Sequence, residues 1–300
     1  MPQTRILTLA GMASFLLLIF SIGCTKNPVT PPVHDTVTVV KHDTTTNIDT
    51  LYASKPDSTI NLAKGLLLYL PFSGNIADSS GNGNPTTAYG NVLTYDAHGY
   101  ANNAFGASDH GEVVIVTNNG SIKFDTAMSL AFSFTSYDTA RNQSFISLVN
   151  YSTGQAPSFT VGSINLGTRS WGWGIEDQSV GCSNYGGNDA YNISDTLNWV
   201  PVPGAWYNAV GVYHNGSTEF YINGKLIGSK HGLGTKINDC PSSQVVIGGW
   251  WNDPSYNGNP NGKMDNIRLY NRVLTPHEIA YLAANYQVNS MSVKPGLKTH

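Results

Sequence analysis

Charge is what this sequence has least of. Only 12% of its 300 residues are Asp, Glu, Lys or Arg, against about 25% in an ordinary soluble domain. The net charge is −3 and the basic residues are scattered. A nucleic-acid partner needs a concentrated basic stripe, so that class is excluded. There is no Gly-x-Ser-x-Gly elbow, no His-Glu-x-x-His zinc motif and no phosphate-binding loop, which removes the best-marked hydrolases and nucleotide enzymes. Long apolar runs are also lacking. The longest, Ile6 to Phe20, is too short for a comfortable membrane span.

Glycine and turn chemistry are abundant instead, with 31 Gly in the chain. Two Asn-Gly pairs, Asn215-Gly216 and Asn223-Gly224, punctuate short apolar runs in residues 206–228. Asn-Gly favours a type I′ turn, whose central residues both need positive φ, and so predicts tight hairpins. Between the turns Phe220 and Ile222 alternate with Glu219 and Tyr221, a strand with one buried and one wet face. Similar runs recur at Leu66–Phe72, Val113/Ile115, Leu130/Phe132/Phe134, Phe159/Val161, Val210/Val212, Val245/Ile247 and Ile267/Leu269. Many short strands separated by turns predict an all-β, two-sheet antiparallel jelly-roll sandwich. One short C-terminal helix is expected from Pro276 to Asn285, with Pro276 at its first position and Thr275 and Glu278 forming a capping box.

The expected organisation has four parts. Residues 1–23 read as an export signal, with Arg5 ahead of the apolar run. Ser21-Ile22-Gly23-Cys24 resembles a bacterial lipobox, so Cys24 is the expected lipidation site and anchors the chain to the membrane. Ser21 departs from the usual Leu, and Thr25 follows where an Asp would retain the protein at the inner membrane; the expected location is the cell envelope, at the outer membrane. Residues 24–63 are a Thr-, Asp- and Pro-rich tether. Its repeated His34-Asp35-Thr36 and His42-Asp43-Thr44 make no preorganised metal site. Residues 64–287 form the sandwich and 288–300 a loose tail. In an oxidising compartment Cys182 and Cys240 would form a disulfide, the alternative being two buried thiols.

Four blocks carry a family resemblance. They are Gly65-Leu-Leu-Leu-Tyr-Leu-Pro-Phe72 with Asp78-Ser-Ser-Gly-Asn-Gly-Asn84, then Gly99-Tyr-Ala-Asn-Asn-Ala-Phe105, the hairpin region 206–228, and Gly262-Lys-Met-Asp-Asn-Ile-Arg-Leu-Tyr-Asn-Arg-Val-Leu-Thr275. In this order the chain resembles laminin-G-like (concanavalin A-like lectin/glucanase) domains. The resemblance implies a concanavalin A-like sandwich, often with structural Ca²⁺, on bacterial surface proteins that bind or process glycans. Two departures stand out. Tyr207 and Asn208 follow the hairpin Trp206 where the family usually has His, and Asp265-Asn266 stands where a paired Asp is common.

The expected metal ligands are Asp78, Asn82 and Asp265. Asp265 shares the parity of Ile267 and Leu269, and a carboxylate facing the core must be paired or coordinated. Alternatively Asp265 pairs with Arg268 or Arg272 and Asp78 makes an Asx-turn. The second cluster is aromatic: Trp171, Trp173, Tyr185, Tyr191, Trp199, Trp250, Trp251 and Tyr256, interleaved with Asn, Asp and Gln. Trp199, Trp250, Trp251 and Tyr256, with Asn252 and Asp253, are the expected glycan-binding set. Trp171 and Trp173 read equally as strand residues facing the core, and Trp206 reads as core. Sandwich glycosidases resemble one another in a Glu-x-Asp-x-x-Glu strand, of which Glu176-Asp177 is only a fragment. The expectation is therefore a non-catalytic, lectin-like domain with a glycan or polysaccharide partner. A protein-binding adhesin or structural envelope module is the alternative.

Overall fold

The computed structural model describes residues 60–108, 111–139, 142–156, 158–163, 171–183, 199–250 and 258–286. The expected signal, Cys24, the tether as far as residue 59 and the 288–300 tail lie outside the described residues.

The chain runs through β1 (Leu66–Leu70), β2 (Thr86–Tyr89), β3 (Leu93–Thr94), β4 (Ala104–Ser108), β5 (Val113–Val116), β6 (Ala127–Ser136) and β7 (Gln143–Val149). It continues through β8 (Phe159–Ser163), β9 (Trp171–Ile175), β10 (Tyr207–His214), β11 (Ser217–Ile222), β12 (Lys225–Lys230), β13 (Gln244–Ile247) and β14 (Asn261–Tyr270), and ends in α1 (Pro276–Tyr286). One sheet has eight strands in the order β12-β11-β10-β6-β14-β4-β3, with β1 also paired to β14. The other has six, in the order β2-β5-β13-β7-β8-β9. All pairings are antiparallel. Both Asn-Gly pairs adopt the left-handed backbone their turns demand, with φ of 46° and 79° at Asn215-Gly216 and 51° and 76° at Asn223-Gly224.

The core fills the space between the sheets. Along β6, Met128, Leu130, Phe132 and Phe134 point inward and meet Ile146, Leu148, Phe159 and Val161 from β7 and β8. Both tryptophans of β9 belong to this core, fully buried. Trp171 stacks on Phe134 with ring centroids 4.1 Å apart. Trp173 lies over Gly211 of the opposite sheet, where a Cβ would sit 2.5 Å from its ring.

The remaining face of the eight-stranded sheet is partly roofed by α1. Ile279 and Leu282 pack on Ala131, Val210, Val212 and Tyr270, joined by Leu62 and Leu66 from the N-terminal side. The capping box forms as expected: the Glu278 N–H donates to Thr275 Oγ1 at 3.2 Å and the Thr275 N–H to Glu278 Oε2 at 2.9 Å. Arg272 adds a two-pronged ion pair to Glu278, 2.7 and 2.8 Å, and donates to the carbonyls of Lys64 and Asn61 at 2.7 and 2.8 Å. The Asn61 N–H also donates to Glu278, at 3.3 Å. One clamp thus ties the first described residues to the last helix.

Burial pushes the Glu278 carboxyl up, but the bonds from Arg272, Thr275 and Asn61 outweigh it and hold it below the ordinary glutamate value. A depressed carboxylate contributes stability that is full above the unfolded value, about 4.3, and lost as pH falls through the folded one. Glu278→Gln should therefore cost about 2 kcal/mol at neutral pH and flatten the loss of denaturation midpoint below about pH 4.5. Equal acid slopes in the two proteins would refute this role.

Candidate functional site

Alternation divides each strand of the six-stranded sheet between the core and an outer face. Thr87 and Tyr89 of β2 sit opposite Ile115 and Val113 of β5. Val246 of β13 and Ser147 of β7 are direct partners, as are Ser147 and Thr160 of β8, and Thr160 and Gly174 of β9. Together with Val149 and Gly172, these outward strand positions carry no Asp, Glu, Lys, Arg or His. Val113, Ile115, Val149 and Val246 form an apolar patch on this face, on which Tyr151 and Trp250 pack half-buried. Tyr89, 53% exposed, stacks on Tyr151 with ring centroids 6.5 Å apart and planes at 30°. Beside them the hydroxyls of Ser144, Ser147 and Thr160 close a buried triangle with edges of 2.7, 2.9 and 3.0 Å.

Backbone geometry places Trp250. Gly248 has φ of 89°, and a Cβ there would lie 2.5 Å from both the Glu112 carbonyl oxygen and the Phe105 ring. Its N–H donates to Phe145 at 2.8 Å and its carbonyl accepts from Asn259 Nδ2 at 2.8 Å. Only glycine admits this turn. Burial, reinforced by Tyr89, raises the Tyr151 phenol above its ordinary value.

The expected glycan set is divided. Trp250 lies in the aromatic cluster, whereas Trp251, Asn252, Asp253 and Tyr256 lie outside the described residues. Trp199 is drawn to the core edge, packed edge-on against Trp171 and Tyr207 at 6.3 and 5.2 Å. Trp206 corrects the core assignment in the other direction. The inward positions of β10 are Tyr207, Ala209 and Tyr213, so Trp206 falls on the outward parity and is only half-buried. Tyr89 and Tyr151 were missed by sequence reasoning. The alternation of Thr87 and Tyr89 was the available signal for one of them.

The expected metal ligands are placed differently from their reading in sequence. Asp78 Oδ1 accepts the N–H groups of Tyr69 and Ser80 at 3.1 and 2.9 Å. Its Oδ2 accepts from Ser80 Oγ, the Asn84 N–H and Asn84 Nδ2 at 3.0, 3.1 and 2.8 Å. Burial raises the Asp78 carboxyl, but these bonds outweigh it and hold it low. Asn82 turns its Nδ2 donor toward the carbonyls of Leu66 and Leu67, at 2.9 and 3.0 Å. Asp265 does not face the core. A bulge between Asp265 and Arg268, with Asn266 at φ of 54°, reverses the parity. Met264 and Ile267 both point inward, while Asp265 accepts from the N–H and Nδ2 of Asn266 at 2.7 and 2.9 Å.

A donor set of five N–H and O–H groups suits a carboxylate that anchors a loop, and it does not fit Ca²⁺ in this arrangement. Among the described residues no group of three His, Cys, Asp or Glu is arranged to hold a metal. The melting temperature is therefore expected to be unmoved by EDTA or added Ca²⁺, while Asp78→Ala should cost about 2 kcal/mol. A rise on adding Ca²⁺ that Asp78→Ala abolishes would restore the metal reading.

The disulfide is formed. Cys182, just beyond β9, and Cys240, just before β13, are bonded with their Cα atoms 5.6 Å apart.

Solved structures share this architecture. Domain 4 of AbnA, an extracellular arabinanase of glycoside hydrolase family 43 from Geobacillus stearothermophilus, was determined with arabinotriose. It is 17% identical with a TM-score of 0.55, over 73% of this chain and 98% of that one. The botulinum neurotoxin serotype D ligand-binding domain with N-acetylneuraminic acid is 17% identical with a TM-score of 0.53, over 74% of this chain and 51% of that one. The receptor-binding domain of the mosaic serotype C/D neurotoxin is 17% identical with a TM-score of 0.53, over 75% and 51%. The match thus spans about half of each neurotoxin chain, and at these identities the likeness concerns the fold alone. A comparison with curated proteins finds no match. The family model described as "Concanavalin A-like lectin/glucanases superfamily" matches residues 114–280, more than half of the sequence, and the chain belongs to that superfamily.

Proposed function

We propose that this protein is a non-catalytic carbohydrate-binding module whose glycan contacts Tyr89, Tyr151 and Trp250, the exposed and half-buried rings over the β2–β5–β13 side of the six-stranded sheet. The observation that carries the reading is the cluster of Tyr89, Tyr151 and Trp250 on an uncharged apolar patch. Sugar rings present apolar C–H faces that such flat side chains cover, while a few polar groups fix orientation. Neighbours solved with arabinotriose and with N-acetylneuraminic acid support a glycan partner. Hydrolysis would need two carboxylates facing across a cleft; the described Glu176 and Asp177 are instead consecutive in the chain. Glu176 is buried one residue beyond β9. Its neighbour Asp177 is engaged in anchoring, accepting the N–H groups of Ser179 and Gly234 at 2.9 and 2.7 Å.

A broad glycan array with the full chain tests the proposal. Selective retention of one class of glycan, weakened about tenfold or more by Trp250→Ala, is the expected result. Wild-type binding in the folded variant would remove Trp250 from the site.

A further inference from the structure

Resting on that reading, we infer that the ligand is an extended glycan chain, held at several points along one edge of the sandwich and not by a single terminal sugar. Of the eight large hydrophobic side chains exposed among the described residues, three are the tyrosines Tyr89, Tyr95 and Tyr100, at 53%, 56% and 65%. Topology gathers them on a common edge. β2, which ends in Tyr89, is the terminal strand of the six-stranded sheet, and β3, which runs into Tyr95, is the terminal strand of the eight-stranded one. Only Gly90, Asn91 and Val92 separate the two strands. Tyr89 and Tyr95 are six residues apart, which limits the distance between their Cα atoms to about 22 Å.

Local bonding fixes this edge before any ligand arrives. Val92 is buried, and its carbonyl accepts the Gly106 N–H at 2.8 Å. In the turn between β3 and β4, Asp96 Oδ1 accepts the N–H groups of His98 and Tyr100 at 2.8 and 2.9 Å, and its Oδ2 accepts from Asn103 Nδ2 at 3.4 Å. The Asp96 N–H donates in return to the Tyr100 carbonyl at 3.1 Å. Lys263 Nζ ties the turn to β14 through the Tyr95 carbonyl, at 3.3 Å. The His98 and Tyr100 rings lie 6.4 Å apart. Rings carried on an ordered turn avoid the entropy cost of ordering it on binding. One exposed ring is an ordinary surface feature. A succession that starts at Trp250 and Tyr151, passes Tyr89 and continues to Tyr95 and Tyr100 repeats the same flat contact, as the repeating C–H faces of a polysaccharide require. A mono- or disaccharide would meet one end only.

Calorimetric titration of the full chain tests this. The probes are size-fractionated fragments of arabinan, xylan, mannan, mixed-linkage glucan and polygalacturonate, from disaccharide to hexasaccharide, with the parent polymers in affinity electrophoresis beside them. One series should bind, its affinity rising about tenfold or more from disaccharide to hexasaccharide, because each added contact forms within an existing complex. The Tyr95→Ala, Tyr100→Ala double variant should bring the hexasaccharide down to the disaccharide value, and Trp250→Ala should weaken every length about tenfold. Leu226→Ala, at an exposed residue of β12 on the opposite edge of the eight-stranded sheet, should leave the length dependence intact. An affinity that is flat with length, or a folded double variant that binds the hexasaccharide as wild type does, would overturn the inference and leave the glycan-binding reading standing. No binding of any fragment or polymer by folded protein would overturn both.

Discussion

Trp173→Ala should lower the free energy of unfolding by about 3–5 kcal/mol, read as a shift in the urea midpoint by circular dichroism. The side chain is fully buried and bridges the two sheets. Its face lies against Gly211 of β10, and its indole N–H donates to Thr218 Oγ1 at 2.7 Å. Thr218 Oγ1 in turn donates to the Val212 carbonyl at 2.8 Å. Truncation therefore opens a cavity and takes from the buried Thr218 hydroxyl oxygen the N–H that donates to it. A double-mutant cycle isolates the contact. Gly211→Ala should cost about 1–3 kcal/mol by overpacking and much less in the Trp173→Ala background, because the ring it would strike is gone. Strict additivity of the two changes would contradict this account.

Loss of the Cys182–Cys240 bridge is the second large effect. The two cysteines are 58 residues apart in sequence, and closing a loop of that size restricts the unfolded chain by about 4 kcal/mol. The bridge also fixes the end of β9, the edge strand, against the start of β13, which leads into Gly248 and Trp250. Cys182 is exposed whereas Cys240 is buried, so dithiothreitol can reach the bond from the Cys182 side without unfolding. The Cys182→Ser, Cys240→Ser double variant is expected to unfold at a clearly lower urea concentration, and reduced wild type should match it. Equal midpoints for oxidised and reduced protein would show the bridge to be energetically idle.

Local chemistry made the fold readable. Asn-Gly turns, the Thr275–Glu278 capping box and the alternation in β11 each depend on neighbours in sequence, and each stands in the structure as expected. The cysteine pair was readable because only two remained once Cys24 was set aside for lipid. Parity failed where it met an interruption. A single left-handed residue, Asn266, turned Asp265 outward and dissolved the argument for a core-facing carboxylate. Trp206 departs from its core reading for a related reason, since it lies outside any strand and its direction depends on the chain around it. The aromatic cluster is the least local feature of all. Tyr89, Tyr151 and Trp250 come from three separate segments, and sheet order alone brings them together.

The clamp between Asn61, Arg272 and Glu278 has a mechanical consequence. Leu62, Leu66 and α1 all lie on the eight-stranded sheet, so the chain enters and leaves by the side that faces away from Tyr89, Tyr151 and Trp250. Tension arriving through the residues before Asn61 is delivered first to the Arg272 bonds at the Asn61 and Lys64 carbonyls, and then to the β1–β14 pairing. A pull on Asn61 would thus load the side of the sandwich opposite Tyr89, Tyr151 and Trp250, without first straining the strands beneath those rings.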